Sequence, residues 1–138
     1  MKSPKQLVLL ALFGALSCTG MHAQIAGMRA VIPFDFHAGD KLMPAGEYLV
    51  QHQGSWVTLR VAGDGKKAIA LLTNGAVAVD SSRSARLDFS RYGSVYFLTA
   101  VWEPYSRNGR QVPAAAGEKE LAKNGVAAQT VVLIAGKR

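Results

Sequence analysis

Cysteine is nearly missing from this 138-residue chain: the single one is Cys18, inside an N-terminal stretch that reads as a leader. Once that stretch is set aside, the remainder has no disulfide, no thiol nucleophile and no thiolate metal site. Histidine is scarce too, at three residues, and His22 belongs to the same leader. The longest apolar run, Leu7 to Leu16, is ten residues, about half of the roughly 20 needed to cross a bilayer as a helix. Nucleophile motifs are lacking. Ser55 and Ser94 both follow a glycine, but neither lies in a G-x-S-x-G pattern between a strand and a helix. Ala62–Gly65 is glycine-rich yet lacks the lysine and hydroxyl of a phosphate cradle. No pattern asks for a cofactor.

What is present begins with the leader. Lys2 and Lys5 precede the apolar run, and Met21-His22-Ala23 ends the stretch as an A-x-A-like site before Gln24. This layout predicts a secretory signal peptide over 1–23, with cleavage between Ala23 and Gln24, and one β-rich domain over 24–138. Ala15-Leu16-Ser17-Cys18 also resembles a lipobox, so a lipid anchor through Cys18 is the alternative to a free periplasmic or extracellular protein. The 115 residues after Ala23 carry 14 Lys+Arg against 9 Asp+Glu, a net charge of +5. Export removes nucleic acid from the expected partners. The positive charge suits an anionic envelope polymer, and another envelope protein is the second expectation. Oligomeric state is left open.

From Arg29 onward the pattern is one of short alternating runs. Ala30, Ile32, Phe34 and Phe36 alternate with more polar neighbours, the period of a half-buried strand over Arg29–His37. Pro33 places that strand at a sheet edge or turns its own backbone away from a neighbour. Met43-Pro44-Ala45-Gly46 reads as a type I turn leading into a strand that starts at Glu47. Val57, Leu59 and Val61 form the aliphatic face of the next run, and Gly63-Asp64-Gly65 marks a hairpin to Lys67–Thr73. Asn74-Gly75 is read as a second hairpin turn, and 80–84 as a polar loop. Leu87 and Phe89 share one side of 86–92, and Gly93-Ser94 fits a hairpin with glycine first. Val95–Trp102 is apolar on both faces, the pattern of a strand covered twice. Residues 106–110 read as a polar loop. A short helix is predicted within 114–124, stopped by Asn124-Gly125, followed by a last strand over 126–135. Together these predict an all-β fold: an antiparallel sandwich or barrel of about seven to nine short strands with one short helix near the C-terminus.

Laid end to end, Ile32-Pro33-Phe34-Asp35-Phe36, Gly39, Pro44-Ala45-Gly46-Glu47-Tyr48, Arg91-Tyr92-Gly93, Tyr96-Phe97-Leu98, Val101-Trp102 and Glu118 with Glu120-Leu121-Ala122 carry a resemblance. The chain resembles a family of small exported bacterial proteins of unassigned function. That resemblance implies export and a β-rich fold, and it implies no activity. The chain departs from the family pattern at Ala114-Ala115-Ala116-Gly117, where a serine-containing helix cap is expected. Locally, Leu42–Val50 is similar to prealbumin-like β-sandwich modules, in which a proline-glycine turn also feeds a strand through a tyrosine.

Two groups of residues bear on function. Asp35, His37 and His52 would make a two-histidine, one-carboxylate metal site if the first two strands paired, but each is as well explained as an outward polar residue, and no metal is expected. Asp35, Asp40 and Glu47 could supply paired carboxylates, but turn and edge placement accounts for each, and no catalytic residue is assigned. The second group is Arg83, Arg86, Arg91, Tyr92, Trp102, Tyr105, Arg107 and Arg110, an arginine–aromatic interleaving of the kind enriched at binding hot spots. The expectation is a non-enzymatic envelope or secreted module, binding or structural. Its rivals are a carrier enclosing a small apolar ligand in a barrel and, behind it, a hydrolase.

Overall fold

A computed structural model describes residues 27–137; the expected signal segment 1–23, Cys18, and the cleavage pair Ala23 and Gln24 lie outside the described residues. The elements are β1 (Gly27–Ile32), β2 (Phe36–Ala38), β3 (Lys41–Met43), β4 (Gly46–Gln53), β5 (Trp56–Val61), β6 (Ala68–Leu72), β7 (Asn74–Ser82), β8 (Ala85–Tyr92), β9 (Val95–Trp102), β10 (Ser106–Gln111), α1 (Ala116–Lys123) and β11 (Gln129–Lys137). They form one eleven-stranded, nearly closed barrel in the order β3-β2-β9-β8-β11-β1-β4-β5-β6, with β10 on β9 and β7 on β10. All pairings are antiparallel except β2 with β9. Of the two expected architectures, the barrel is the one formed.

Alternation builds the interior. Ala30 and Ile32, Tyr48 and Val50, Val57 and Leu59, and Leu87 and Phe89 project inward from four strands and are essentially inaccessible to solvent. Phe36 meets Tyr48 and Phe89 edge-to-face at 5.3 and 5.5 Å, a geometry that adds to the burial gain of each ring. Phe34 lies flat on Tyr96 at 3.7 Å and edge-on to Phe89. These side chains fill the lumen.

The strand count exceeds the expected seven to nine for reasons visible in the backbone. The run expected as one strand over 29–37 breaks at Pro33–Asp35. β1 sits between β11 and β4, not at an edge, whereas β2 has crossed to β3 and β9. Residues 106–110, expected as a loop, form most of β10, which pairs with both β7 and β9. Asn74-Gly75 makes no hairpin: β6 ends at Leu72 and β7 leaves to join β10. The corner is held by Thr73, only 3% exposed. Its N–H and its hydroxyl both donate to the Ser55 carbonyl, at 2.8 and 2.7 Å.

Gly93-Ser94 does form the two-residue turn between β8 and β9, with Gly93 at φ +63°, a conformation that costs a residue with a Cβ atom. Downstream, Asp88 pairs with Ala100 and Phe89 with Leu98, so Thr99 is an extra residue, a β-bulge. The bulge swaps the faces of β9. Leu98 and Val101 both point into the core, and Trp102 turns outward. On the other face, Phe97 and Tyr92 form a second, smaller core with Ala115, on which Val95 and Leu121 of α1 pack.

Helix α1 starts at Ala116 without a cap from its own sequence. Ala115 offers no side-chain cap, and Asp40 from the β2–β3 turn supplies one instead, accepting from the Ala116 N–H at 3.3 Å. It stops at Asn124-Gly125, where Gly125 donates to Ala122 O and Val126 to Leu121 O. That pairing is a Schellman ending with glycine at φ +78°.

Burial predicts where truncation hurts. Leu59→Ala should cost about 2–5 kcal/mol, whereas Val79→Ala, at a position 86% exposed, should stay within about 0.5 kcal/mol. Urea unfolding of both variants measures the contrast.

Candidate functional site

The barrel exterior carries a built aromatic cluster. Cross-strand pairing places Ile134 of β11 beside Arg86 of β8, Arg86 beside Trp102 of β9, and Trp102 beside Gly109 of β10. The Arg86 guanidinium lies over the Trp102 ring at 4.9 Å, and the indole N–H donates to Asp88 Oδ2 at 2.7 Å. Beneath, the ring covers Gly109 so closely that a Cβ there would sit 2.3 Å from Trp102 Cε3. Trp102 is therefore clamped on three sides, which fixes its rotamer. Asp88 Oδ1 is buried without an aligned donor and lies 3.4 Å from Arg86 Nε, an ion-pair distance without hydrogen-bond geometry. Around this clamp the exterior is apolar: Ile134 is 66% exposed, Val132 50% and Val31 67%. Val31 stands two residues beyond Arg29 on β1, and Ile134 two before Gly136 on β11. Arg29 and Gly136 are paired, so both side chains fall on the outer face of adjacent strands. The Arg29–Glu47 ion pair at 2.9 Å borders the patch.

The structure does not gather all eight arginine and aromatic candidates on one surface. Tyr92 is a correction: it is buried under α1, edge-on to Phe97 at 5.8 Å, with its hydroxyl donating to Glu118 Oε1 at 3.4 Å. Arg110 is a fastener, donating to the hydroxyl and carbonyl of Thr73 at 2.8 and 2.6 Å. Arg107 donates to Ala78 O across the β7–β10 ribbon. Arg91 donates to Gly93 O and lies 5.6 Å from the Tyr96 ring, at the barrel end opposite Trp102. Arg83 and Tyr105 are exposed near the β7–β10 ribbon, Tyr105 in a left-handed turn at φ +56°. Only Arg86 and Trp102 of the group sit together on the outer face.

The histidines and carboxylates are likewise dispersed. His37 stacks on Phe97 at 4.9 Å, whereas His52 is held between the Glu103 carboxylate and the Gly54 carbonyl at 2.8 and 2.7 Å. β4 and β9 are separated by three strands in the sheet order, so the His52–Glu103 contact joins β4 to the residue that follows β9, a segment it does not pair with. Asp35 accepts the Ala45 N–H, and Glu47 faces Arg29. Among the described residues no three of His, Cys, Asp and Glu converge.

A second concave feature escaped sequence reasoning. Between α1, the β2–β3 turn and the start of β9 lies a half-open cleft of about 280 Å³, lined by His37, Gly39, Asp40, Val95, Phe97, Ala115, Gly117 and Leu121. The only sequence signal for it is the pair of small residues, Ala115 and Gly117, at the start of a helix that packs on a strand apolar on both faces.

Two phenols tie stability to alkaline pH. Tyr48 and Tyr92 are both raised above their ordinary 10.0, each by burial first, then by the charge of Asp35 and of Glu118 respectively. A raised phenol favours the folded, neutral form, so this contribution is complete below pH 10 and is lost as pH climbs beyond it. The urea midpoint should therefore fall as pH rises above 10. Tyr92→Phe should flatten that fall relative to the wild type.

No family model, curated protein or solved structure matches the chain.

Proposed function

We propose that the protein is an exported, non-enzymatic module of the cell envelope that binds another envelope protein through the outer face of β1, β11, β8 and β9. The observation that carries this reading is the exposed strip Val31, Val132 and Ile134 beside a tryptophan already locked in place by Arg86, Asp88 and Gly109. Apolar side chains grouped on a surface and rimmed by ions mark interaction sites. Tryptophan and arginine lead the residues that anchor them. A pre-ordered indole loses little side-chain freedom when a partner covers it, which favours affinity.

The anionic-polymer reading is weaker. Arg86, Arg91, Arg107 and Arg110 direct their guanidinium groups at acceptors or rings within the chain. The carrier reading is weaker as well, because Tyr48, Phe36, Phe89, Ile32, Met43 and Leu59 occupy the lumen that a ligand would need. Export rests on Lys2, Lys5, the Leu7–Leu16 run and Ala23.

Affinity capture from envelope extracts tests the reading. The wild type should retain a discrete protein partner, and Trp102→Ala or Ile134→Lys should weaken retention about tenfold or more, the loss of a hot spot. Partner retention unchanged by both variants would refute the face. Intact-mass measurement of the secreted or periplasmic fraction should find Gln24 as the first residue; an acylated Cys18 would replace free export with a lipid anchor.

A further inference from the structure

We infer that the cleft between α1 and the β2–β3 turn is a binding site for a single aromatic ring bearing a cationic amine. Its volume of about 280 Å³ is just under the roughly 300 Å³ at which pockets for drug-sized ligands begin, the scale of one ring with a short substituent. The walls are apolar: Phe97, Val95, Leu121 and Ala115, with the His37 imidazole stacked on Phe97 at one side. Phe97, 3% exposed and packed edge-on to Tyr92, fixes the His37 ring stacked on it, and the surface left to a ligand is that of His37, Val95 and Leu121.

Gly117 lines the cleft, and the fold does not force a glycine there. A Cβ at Gly117 would meet only the Phe97 ring, at an ordinary 3.9 Å, and the glycine is not in the left-handed region. Sterics thus permit a better helix former, and glycine is among the poorest. A larger side chain at 117 would grow into the space that glycine leaves.

The mouth supplies the charge preference. Asp40 is exposed at the rim; its Oδ1 accepts the Ala116 N–H, and Oδ2 has no hydrogen bond among the described residues. A carboxylate beside an aromatic wall favours a ring that carries an ammonium group, through one charge-assisted hydrogen bond and ring contact. His37 is the other titratable group on the lining.

Tyramine and 4-hydroxyphenylacetate, which share a phenol ring and differ in charge, are the probes. Titrated into the purified protein and followed by NMR, tyramine should give saturable shifts at His37, Phe97 and Leu121 with a dissociation constant of about 1 mM or below, the range open to a ligand of ten heavy atoms. It should bind at least about threefold tighter than 4-hydroxyphenylacetate, and Asp40→Asn, which keeps an oxygen for Ala116, should erase that difference. Gly117→Leu should weaken tyramine about tenfold or more, with Gly117→Ala intermediate, and the thermal midpoint of the alanine variant should be no lower than that of the wild type. No saturable shift at the cleft residues, equal binding by Gly117→Leu, or tighter binding of the carboxylate probe would each overturn the inference.

Discussion

Strand β9 must be covered twice, and much of the molecule is arranged to do so. Val95–Trp102 has apolar side chains on both faces, which no ordinary half-exposed barrel strand tolerates. The interior takes Leu98 and Val101. The exterior takes Phe97 near one end, where α1 lies over it, and Trp102 at the other, where Gly109 and Arg86 receive it. The bulge at Thr99 makes this division workable by letting both Leu98 and Val101 face inward. Thr99 is fixed in turn: its hydroxyl donates to Asp88 O, and its carbonyl accepts from Val112 N. Both edges of β9 are paired as well, with β8 along one side and β2 and β10 sharing the other. Both candidate sites lie on the outer face of this one strand, because its surplus apolar surface cannot all be buried by the core.

The fold was legible where the signal is local. Period-two runs identified the inward faces of β1, β5 and β8, and the glycine-first turn and the helix stop were readable from two residues each. What escaped were features set by particular partners distant in sequence. Residues 106–111 look like a loop because Ser, Arg, Asn and Gly have weak strand propensity, yet pairing to β7 and β9 imposes the strand. Asn74-Gly75 looks like a hairpin, but Thr73, Ser55 and Arg110 pin the chain at a corner that no neighbouring residue announces. The α1 cap could not be found in the helix sequence because Asp40 provides it from 76 residues away.

Site residues were legible in kind more than in place. Composition pointed to arginines and aromatics between 83 and 110, and within that span lies the Arg86–Trp102 pair. Sequence could not separate that pair from Tyr92, whose position one strand-face over sends it beneath the helix, or from Arg110, whose donors are taken up by Thr73. Facing is decided by the bulge and by the register of β8 on β9, and neither is written in periodicity alone.

A filled lumen has a consequence for how such a barrel can work. Barrels that carry ligands do so by leaving the interior short of side chains. Here Tyr48, Phe36, Phe89 and Met43 occupy that volume; both candidate sites lie on the exterior, where a sheet face offers little shape. Two devices answer that lack. On one end a tryptophan is immobilised by a guanidinium above, a carboxylate at its N–H and a glycine below, which turns a flat surface into a defined relief. On the other, α1 packs on the strand through Ala115 and Leu121, and the half-open cleft lies beside Gly117, where a Cβ would meet the Phe97 ring at 3.9 Å. Both depend on glycine for space rather than for backbone freedom. Gly109 admits a ring of the chain's own, and Gly117, on the proposed reading, admits a ring from outside.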